Sequence, residues 1–270
     1  MEATQRFYVK TEGRRTKRIL VLADSHCGHR SGLTPPEWRL NPDNPLDRKW
    51  AGLQRAQWNW FHRKVTQLQP FWLLLYLGDA VAGKGERSDG RDIIRRERDD
   101  QVAMAKQVIE HVGARKREMV VGTRYHVRDW ERLVAKEVDA KIGAQGWPKA
   151  YGVVFHIKHK IGRSNTPYGR STPLAKARLW QQLWVERKRV PDADILLRAH
   201  VHYHEYCGNA HKFNATCPAL QGVGDEFGAE QCEGLIDYGF LTFDIGPSGS
   251  WRWDKHLAEL PEAVAQTSNY

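Results

Sequence analysis

Residues Leu20-Val-Leu-Ala-Asp24-Ser-His26 form an apolar run that ends abruptly on an Asp-x-His pair. A few aliphatic residues bounded by charge read as a buried parallel strand, and open α/β sheets gather their ligands at the carboxyl ends of such strands. The same arrangement returns along the chain. Leu73-Leu-Leu-Tyr-Leu77 runs into Gly78-Asp79, and Met119-Val-Val121 into Gly122-Thr-Arg-Tyr-His126. Val153-Val-Phe155 leads into a stretch holding His156 and His159, and Ile195-Leu-Leu197 into His200-Val-His202. A lone Asp-x-His is common and is usually a solvated turn. Strand-like segments that repeatedly deliver Asp or His at one end predict convergence on one sheet edge. Two carboxylates and four or more imidazoles there make a cage suited to first-row divalent metals such as Mn, Fe, Ni or Zn.

The order of these blocks, Asp-x-His, Gly-Asp, a Gly-led turn ending in His, a lone His, then His-x-His, resembles the calcineurin-like metallophosphoesterases over about residues 18 to 245. Two blocks depart from that pattern. The family's third block is normally Gly-Asn-His followed by an acid, whereas this chain has Gly122-Thr-Arg-Tyr-His126, and the last block begins with Ala199 in place of Gly. A Gly-Thr-x-x-His version is similar to one among tailed-phage members of the family, and Lys158-His-Lys-Ile-Gly162 followed by Thr-Pro-Tyr168 fits that subgroup.

The resemblance implies an α/β fold, a four-layer α/β/β/α sandwich, and a two-metal-dependent phosphoesterase. Asp24, His26 and His202 would hold one metal, His159 and His200 the other, and Asp79 would bridge them. A metal-bridging hydroxide would attack phosphorus, with Mn the foremost expected metal and Fe, Ni or Zn the others. His126 would protonate the leaving oxygen or contact the phosphoryl group, and Arg124 and Lys160 would bind substrate phosphate. Thr is a poor substitute for an amide oxygen ligand. Either the second metal has one protein ligand fewer, or His126 takes that place.

Phosphodiesters, nucleic acid among them, are the expected substrates. Small phosphomonoesters are the alternative, and beyond them a catalytically degenerate metal-binding scaffold or a nucleic-acid-binding module. The formal net charge of +10 favours polyanionic partners, although a solvated basic face produces the same balance. No reader motif for nucleic acid is recognisable. Eleven Trp could stack on bases, but most sit at helical spacing and read as core.

The ligand blocks must meet in one place, so residues 1–270 read as one domain, with 1–17 and 264–270 as loose tails. No apolar stretch approaches the roughly 18 residues of a membrane span. No signal-peptide pattern opens the chain, and a cytoplasmic location is expected. Cys27, Cys207, Cys217 and Cys232 lack a C-x-x-C spacing and read as reduced thiols, Cys27 as a small core residue.

Helices are predicted over Asp47–Gln69, Gly90–Arg117 and Asp129–Ile142, and a fourth opened by Thr172-Pro173 and ending at Arg189. Phe240–Phe243 and Trp251–Trp253 read as antiparallel strands closing a second sheet. Of the two histidines near 156, His159 is the expected ligand because it stands at the carboxyl end of its strand. His204 is the strongest candidate outside the set, while His62, His111 and His256 read as ordinary surface or packing residues.

Overall fold

A computed structural model describes residues 16–85, 89–124, 129–164, 166–222 and 236–260. Strands β1 (Lys17–Leu22), β2 (Leu73–Tyr76), β3 (Lys116–Val120) and β4 (Lys141–Gly143) run parallel in one sheet. The second sheet is built from β5 (Lys149–Ala150), β6 (Val153–Ile157), β7 (Ile195–Arg198), β8 (Tyr206–Gly208) and β9 (Phe213–Thr216). Its central β6, β7 and β9 are parallel, and β5 and β8 are antiparallel edges. The hairpin β10 (Tyr238–Ile245) and β11 (Trp251–Ala258) completes the first sheet, in the order β11-β10-β1-β2-β3-β4. The helices are α1 (Arg48–Leu68), α2 (Arg98–Val112), α3 (Trp130–Glu137) and α4 (Ser171–Glu186).

Side chains alternate across a strand, so β1 faces two cores at once. Leu20 and Leu22 pack with Phe61, Val65, Val108 and Ile109 under the outer helices. Ile19 and Val21 pack with Leu75, Phe155, Leu197 and Phe243 between the sheets. A strand covered on both faces reads as an unbroken apolar run. On the outer face of the second sheet, Leu174 of α4 meets Leu196, Ile161, Val201 and Tyr203. The layers are therefore α/β/β/α, with the parallel strands of both sheets in the middle. Full burial of each Leu, Ile or Phe in these cores contributes about 1.5–3 kcal/mol.

Several sequence expectations change here. The strand ends meet from two sheets, not along one sheet edge. The β10–β11 pair is antiparallel as expected, but β10 pairs with β1 of the first sheet and does not close the second. Its residues decide this, because Phe240 packs on Trp60 and Phe61 under α1 while Phe243 meets Phe155 between the sheets.

The helix expected over Gly90–Arg117 is only Arg98–Val112. Upstream, backbone hydrogen bonds that a helix would close locally go instead to the loop after His26, Arg30 N–H to Asp92 O at 2.8 Å and Ile94 N–H to Gly28 O at 2.8 Å. Downstream, Gly113 ends the helix at φ 66° and Lys116 already begins β3. The third helix stops at Glu137, and Lys141 and Ile142, expected within it, enter β4 after a turn over residues 138–140.

Thr172-Pro173 does not cap α4. A 3-10 turn over Pro167–Gly169 leads through Arg170 directly into the helix at Ser171, no side chain caps it, and it ends at Glu186, short of Arg189. Trp180 and Trp184 of this helix are 54% and 44% exposed and do not belong to a core.

Among the described residues no helix is long and apolar enough to cross a membrane. Cys27 and Cys217 are buried and Cys207 is partly so, all three free thiols, while Cys232 lies outside the described residues. Burial pushes the Cys27 thiol up to about 12, so it is not a thiolate at neutral pH.

Candidate metal centre

Each acidic or imidazole residue of the site follows a strand by a few positions, Asp24 after β1, Asp79 after β2, His159 after β6 and His200 after β7. The loops after β1 and β2 are joined by Asp24 N–H to Gly78 O and His26 N–H to Asp79 O, both 3.0 Å. The sheets are tied across the site by the His200 N–H, which donates to Asp24 Oδ2 at 3.2 Å.

Two glycines permit this closeness. A Cβ on Gly122 would stand 2.0 Å from Asp79 Oδ1, and one on Gly78 would stand 2.7 Å from the Gly122 Cα. Nine described non-glycine residues have φ in the left-handed region, and five of them are Asp24, His26, Asp79, His200 and His202. Such backbone costs of order 1–3 kcal/mol per residue and persists where surrounding contacts over-determine it, often at functional sites.

Six of the residues named from the sequence assemble into two buried groups. Asp24, His26 and His202 form one, Asp79, His159 and His200 the other, and within each group the ligand atoms lie within 4.8 Å of one another. Asp79 stands between them, its Oδ2 3.1 Å from His159 Nε2 and 3.9 Å from His26 Nε2. In the first group, His202 Nε2 is 3.5 Å and His26 Nε2 3.9 Å from Asp24 Oδ1.

This donor set fits a pair of divalent cations. Asp24 Oδ1 is buried and accepts no hydrogen bond within the described residues, an expensive state for a carboxylate oxygen without a cation. Burial alone would raise the Asp24 carboxyl, but the charge of the adjacent His202 outweighs it and holds it below its ordinary value. Burial likewise opposes a charge on His159, yet Asp79 prevails and pushes that imidazole up to about 10. The field that draws a proton onto His159 would draw a cation as well. His200 is pushed down to about 4 by burial first and by His159 second, which leaves it a neutral donor.

Among solved structures the chain is similar to a single-site mutant of Vps29 from Entamoeba histolytica at 15% identity and TM-score 0.48, over 90% of this chain and 99% of that one. It is similar to wild-type Vps29 complexed with zinc from the same organism at 16% identity and TM-score 0.45, over 89% and 98%. An archaeal phosphodiesterase aligns at 9% identity and TM-score 0.43, over 88% and 99%. No family model and no curated protein matches the sequence.

Two residues given no such role from the sequence are part of the site. Thr123, read only as a poor ligand, puts its Oγ1 3.0 Å from Asp79 Oδ2, 3.1 Å from His159 Nε2 and 3.2 Å from His200 Nδ1. It meets every member of the second group. Its backbone N–H donates to Asp79 Oδ1 at 2.6 Å. The Gly-Thr pair after a buried strand was the available signal.

Glu131 carried no signal, since it reads as one more acid on a charged helix. In the structure it is fully buried at the start of α3. Its Oε1 accepts the Ala80 N–H at 2.8 Å and its Oε2 the Gly122 N–H at 2.6 Å, so one carboxylate holds the loops after β2 and β3 together. Burial first, and the charge of Asp79 second, push it up to about 7.

Glu131→Ala leaves two buried N–H groups without acceptors, each costing about 1–3 kcal/mol. The expected result is a lower Tm together with a 10- to 100-fold weaker affinity for added Mn, since supporting residues of this kind carry that much. Thermal denaturation and isothermal titration with Mn measure both. An unchanged Mn affinity in a folded variant would show that the clamp does not position the ligands.

Arg124 and Lys160 are exposed, Arg124 next in sequence to Thr123 and Lys160 next to His159. His126 lies outside the described residues. His156 is held away from the site, stacked on Trp147 with centroids 5.0 Å apart and with Nδ1 3.4 Å from the Arg198 guanidinium. Burial first and Arg198 second push it down to about 3.

His204 donates from Nδ1 to Thr216 O at 2.8 Å and stacks on Tyr206, outside both groups. His62 and His111 meet each other at 3.2 Å, and His256 bonds Thr242 at 2.9 Å.

Proposed function

We propose that this chain is a variant calcineurin-like metallophosphoesterase, similar to tailed-phage members, and hydrolyses phosphodiesters in preference to monoesters. The reading takes residues 1–270 as one catalytic domain working in the cytoplasm. The observation that carries it is the position of Asp79, whose carboxylate lies between two buried ligand groups. Two cations held there, Mn foremost, would supply an acidified water and neutralise the phosphoryl oxygens.

The protein's own contribution is geometry. Asp24, His26 and His202 hold one position, and Asp79, Thr123, His159 and His200 the other. The Nδ1–H of His159 donates to Leu77 O at 2.7 Å, which fixes its ring and turns Nε2 toward the site. Glu131 holds both loops at their separation. Lys160 and Arg124, exposed beside the second group, bind the phosphate of the substrate, and His126 delivers the proton to the leaving oxygen.

A panel assay of the Mn-loaded protein tests this, with bis(p-nitrophenyl) phosphate, p-nitrophenyl phosphate and single-stranded DNA as substrates. The diester is expected to have the higher kcat/KM, and EDTA to abolish turnover. Faster monoester turnover would replace the diester reading with a phosphomonoesterase. Tight Mn binding without turnover of any of the three would leave a non-catalytic metal-binding scaffold.

A further inference from the structure

The segment that starts at the metal centre with His159 and runs out along α4 is strongly basic. Residues 158 to 189 contain nine Lys or Arg and one acid, Glu186, which makes a net +8 of the chain's +10. Two of these cations are used internally. Arg178 donates to Asn214 Oδ1 at 2.7 Å and to Ala193 O at 2.6 Å, and Arg170 lies 4.3 Å over the Tyr203 ring. The other seven are exposed and none forms an ion pair among the described residues, although Arg187 lies 5.9 Å from the centre of the Trp184 ring.

The same segment carries exposed aromatic side chains. Tyr168 is 88% exposed in the turn before α4, and Trp180 and Trp184 are 54% and 44% exposed on the helix. The segment leaves the centre directly, since it begins around His159. It is anchored to the His200–His202 turn, where Ile161 and Leu174 pack on Val201 and Tyr203. Tyr203 also receives the Ser164 N–H at 3.4 Å.

We propose that this strip is a binding track for single-stranded nucleic acid, leading from the metal centre along α4. The inference rests on the phosphodiesterase reading and names its substrate class. Groups of exposed cations and flat rings follow one another along the strip, Lys158 to Arg163, Tyr168, Lys176, Trp180 and Trp184, then Arg187 to Arg189, and a single strand likewise offers both phosphates and bases. Base stacking on aromatic rings tolerates any sequence, and the unpaired cations neutralise phosphates. Leu179 and Leu183 are 59% and 39% exposed beside the two Trp, so α4 presents an apolar face of its own. The exposed cations on the loop before it and at its far end, Lys158, Lys160, Arg163, Arg187, Lys188 and Arg189, favour a polyanion with flat bases over a lipid surface.

The test measures fluorescence anisotropy of a labelled phosphorothioate oligonucleotide, about 20 nucleotides long, with the Mn-loaded full-length chain. The wild type is expected to bind at about 50 mM salt, with log K falling against log salt at a slope of about −3, as about four phosphate contacts give. The double variant Trp180→Ala, Trp184→Ala is expected to bind at least tenfold more weakly, and Tyr168→Ala several-fold more weakly. Both should turn over bis(p-nitrophenyl) phosphate at the wild-type rate.

Absence of wild-type binding at low salt overturns the proposal, as does undiminished binding by the double variant. Binding to phosphatidylserine vesicles without binding to the oligonucleotide assigns the strip to a membrane and also overturns it. The two readings fail separately. A wild type inert on the small diester that still binds the oligonucleotide through Trp180 and Trp184 loses the catalytic reading alone, while an active wild type that ignores the oligonucleotide loses only the track.

Discussion

Asp79→Asn is expected to lower kcat/KM on bis(p-nitrophenyl) phosphate by at least a thousandfold and to reduce the bound divalent ions from two per chain to at most one. Asp79 is 1% exposed and lies 3.1 Å from His159 and 3.9 Å from His26, so its carboxylate stands against both ligand groups. The amide removes the negative charge that offsets two cations. It also turns one acceptor into a donor where both carboxylate oxygens now accept, Oδ1 from the Thr123 N–H at 2.6 Å and Oδ2 from its hydroxyl at 3.0 Å. A shared carboxylate sets the separation and charge balance of a two-metal site. Metal analysis by mass spectrometry beside steady-state kinetics is the check. A wild type that carries one ion or fewer, with a fully active Asn variant, refutes the bridging role.

The second large effect is expected at Thr123. Thr123→Val keeps the shape and the backbone N–H but deletes the hydroxyl that meets Asp79, His159 and His200 at 3.0, 3.1 and 3.2 Å. The result is a 10- to 100-fold weaker second ion, on the scale of residues that orient metal ligands, and a kcat/KM lower by about a hundredfold at limiting Mn. Thr123→Ser restores both. Mn titration of the three proteins decides the matter, and equal second-site affinity in the Val variant would return Thr123 to the passive role that its residue type suggests. This is where the departure from Gly-Asn-His acquires physical content. The hydroxyl meets each of the second group's donors, Asp79, His159 and His200.

The buried strands were legible because a strand covered on both faces must be apolar throughout, and Leu20–Leu22, Leu73–Leu77 and Ile195–Leu197 satisfy that in any context. The candidate ligands were legible for a related reason. Asp or His directly after such a run stands at the carboxyl end of a parallel strand, and the order of the blocks narrowed the reading further.

What the tertiary structure alone decided depends on partners distant in sequence. Asp92 and Ile94 could not be separated from α2 by local pattern, because their backbone hydrogen bonds go to Arg30 and Gly28. Phe240 and Phe243 announced a strand, but only its pairing with β1, Phe243 opposite Ile19 and Leu241 opposite Val21, settled which sheet it joins. Trp180 and Trp184 have the spacing of a buried stripe and are exposed, because α4 packs on the second sheet through Leu174 while Arg178 and Gln181 bond the chain after it. Glu131 is an ordinary helix acid until the fold brings Ala80 N–H and Gly122 N–H to its two oxygens, 51 and 9 residues away in the chain. Local pattern carries burial and strand direction, whereas the partners of a polar group are set by chain closure, and a single segment holds no record of that.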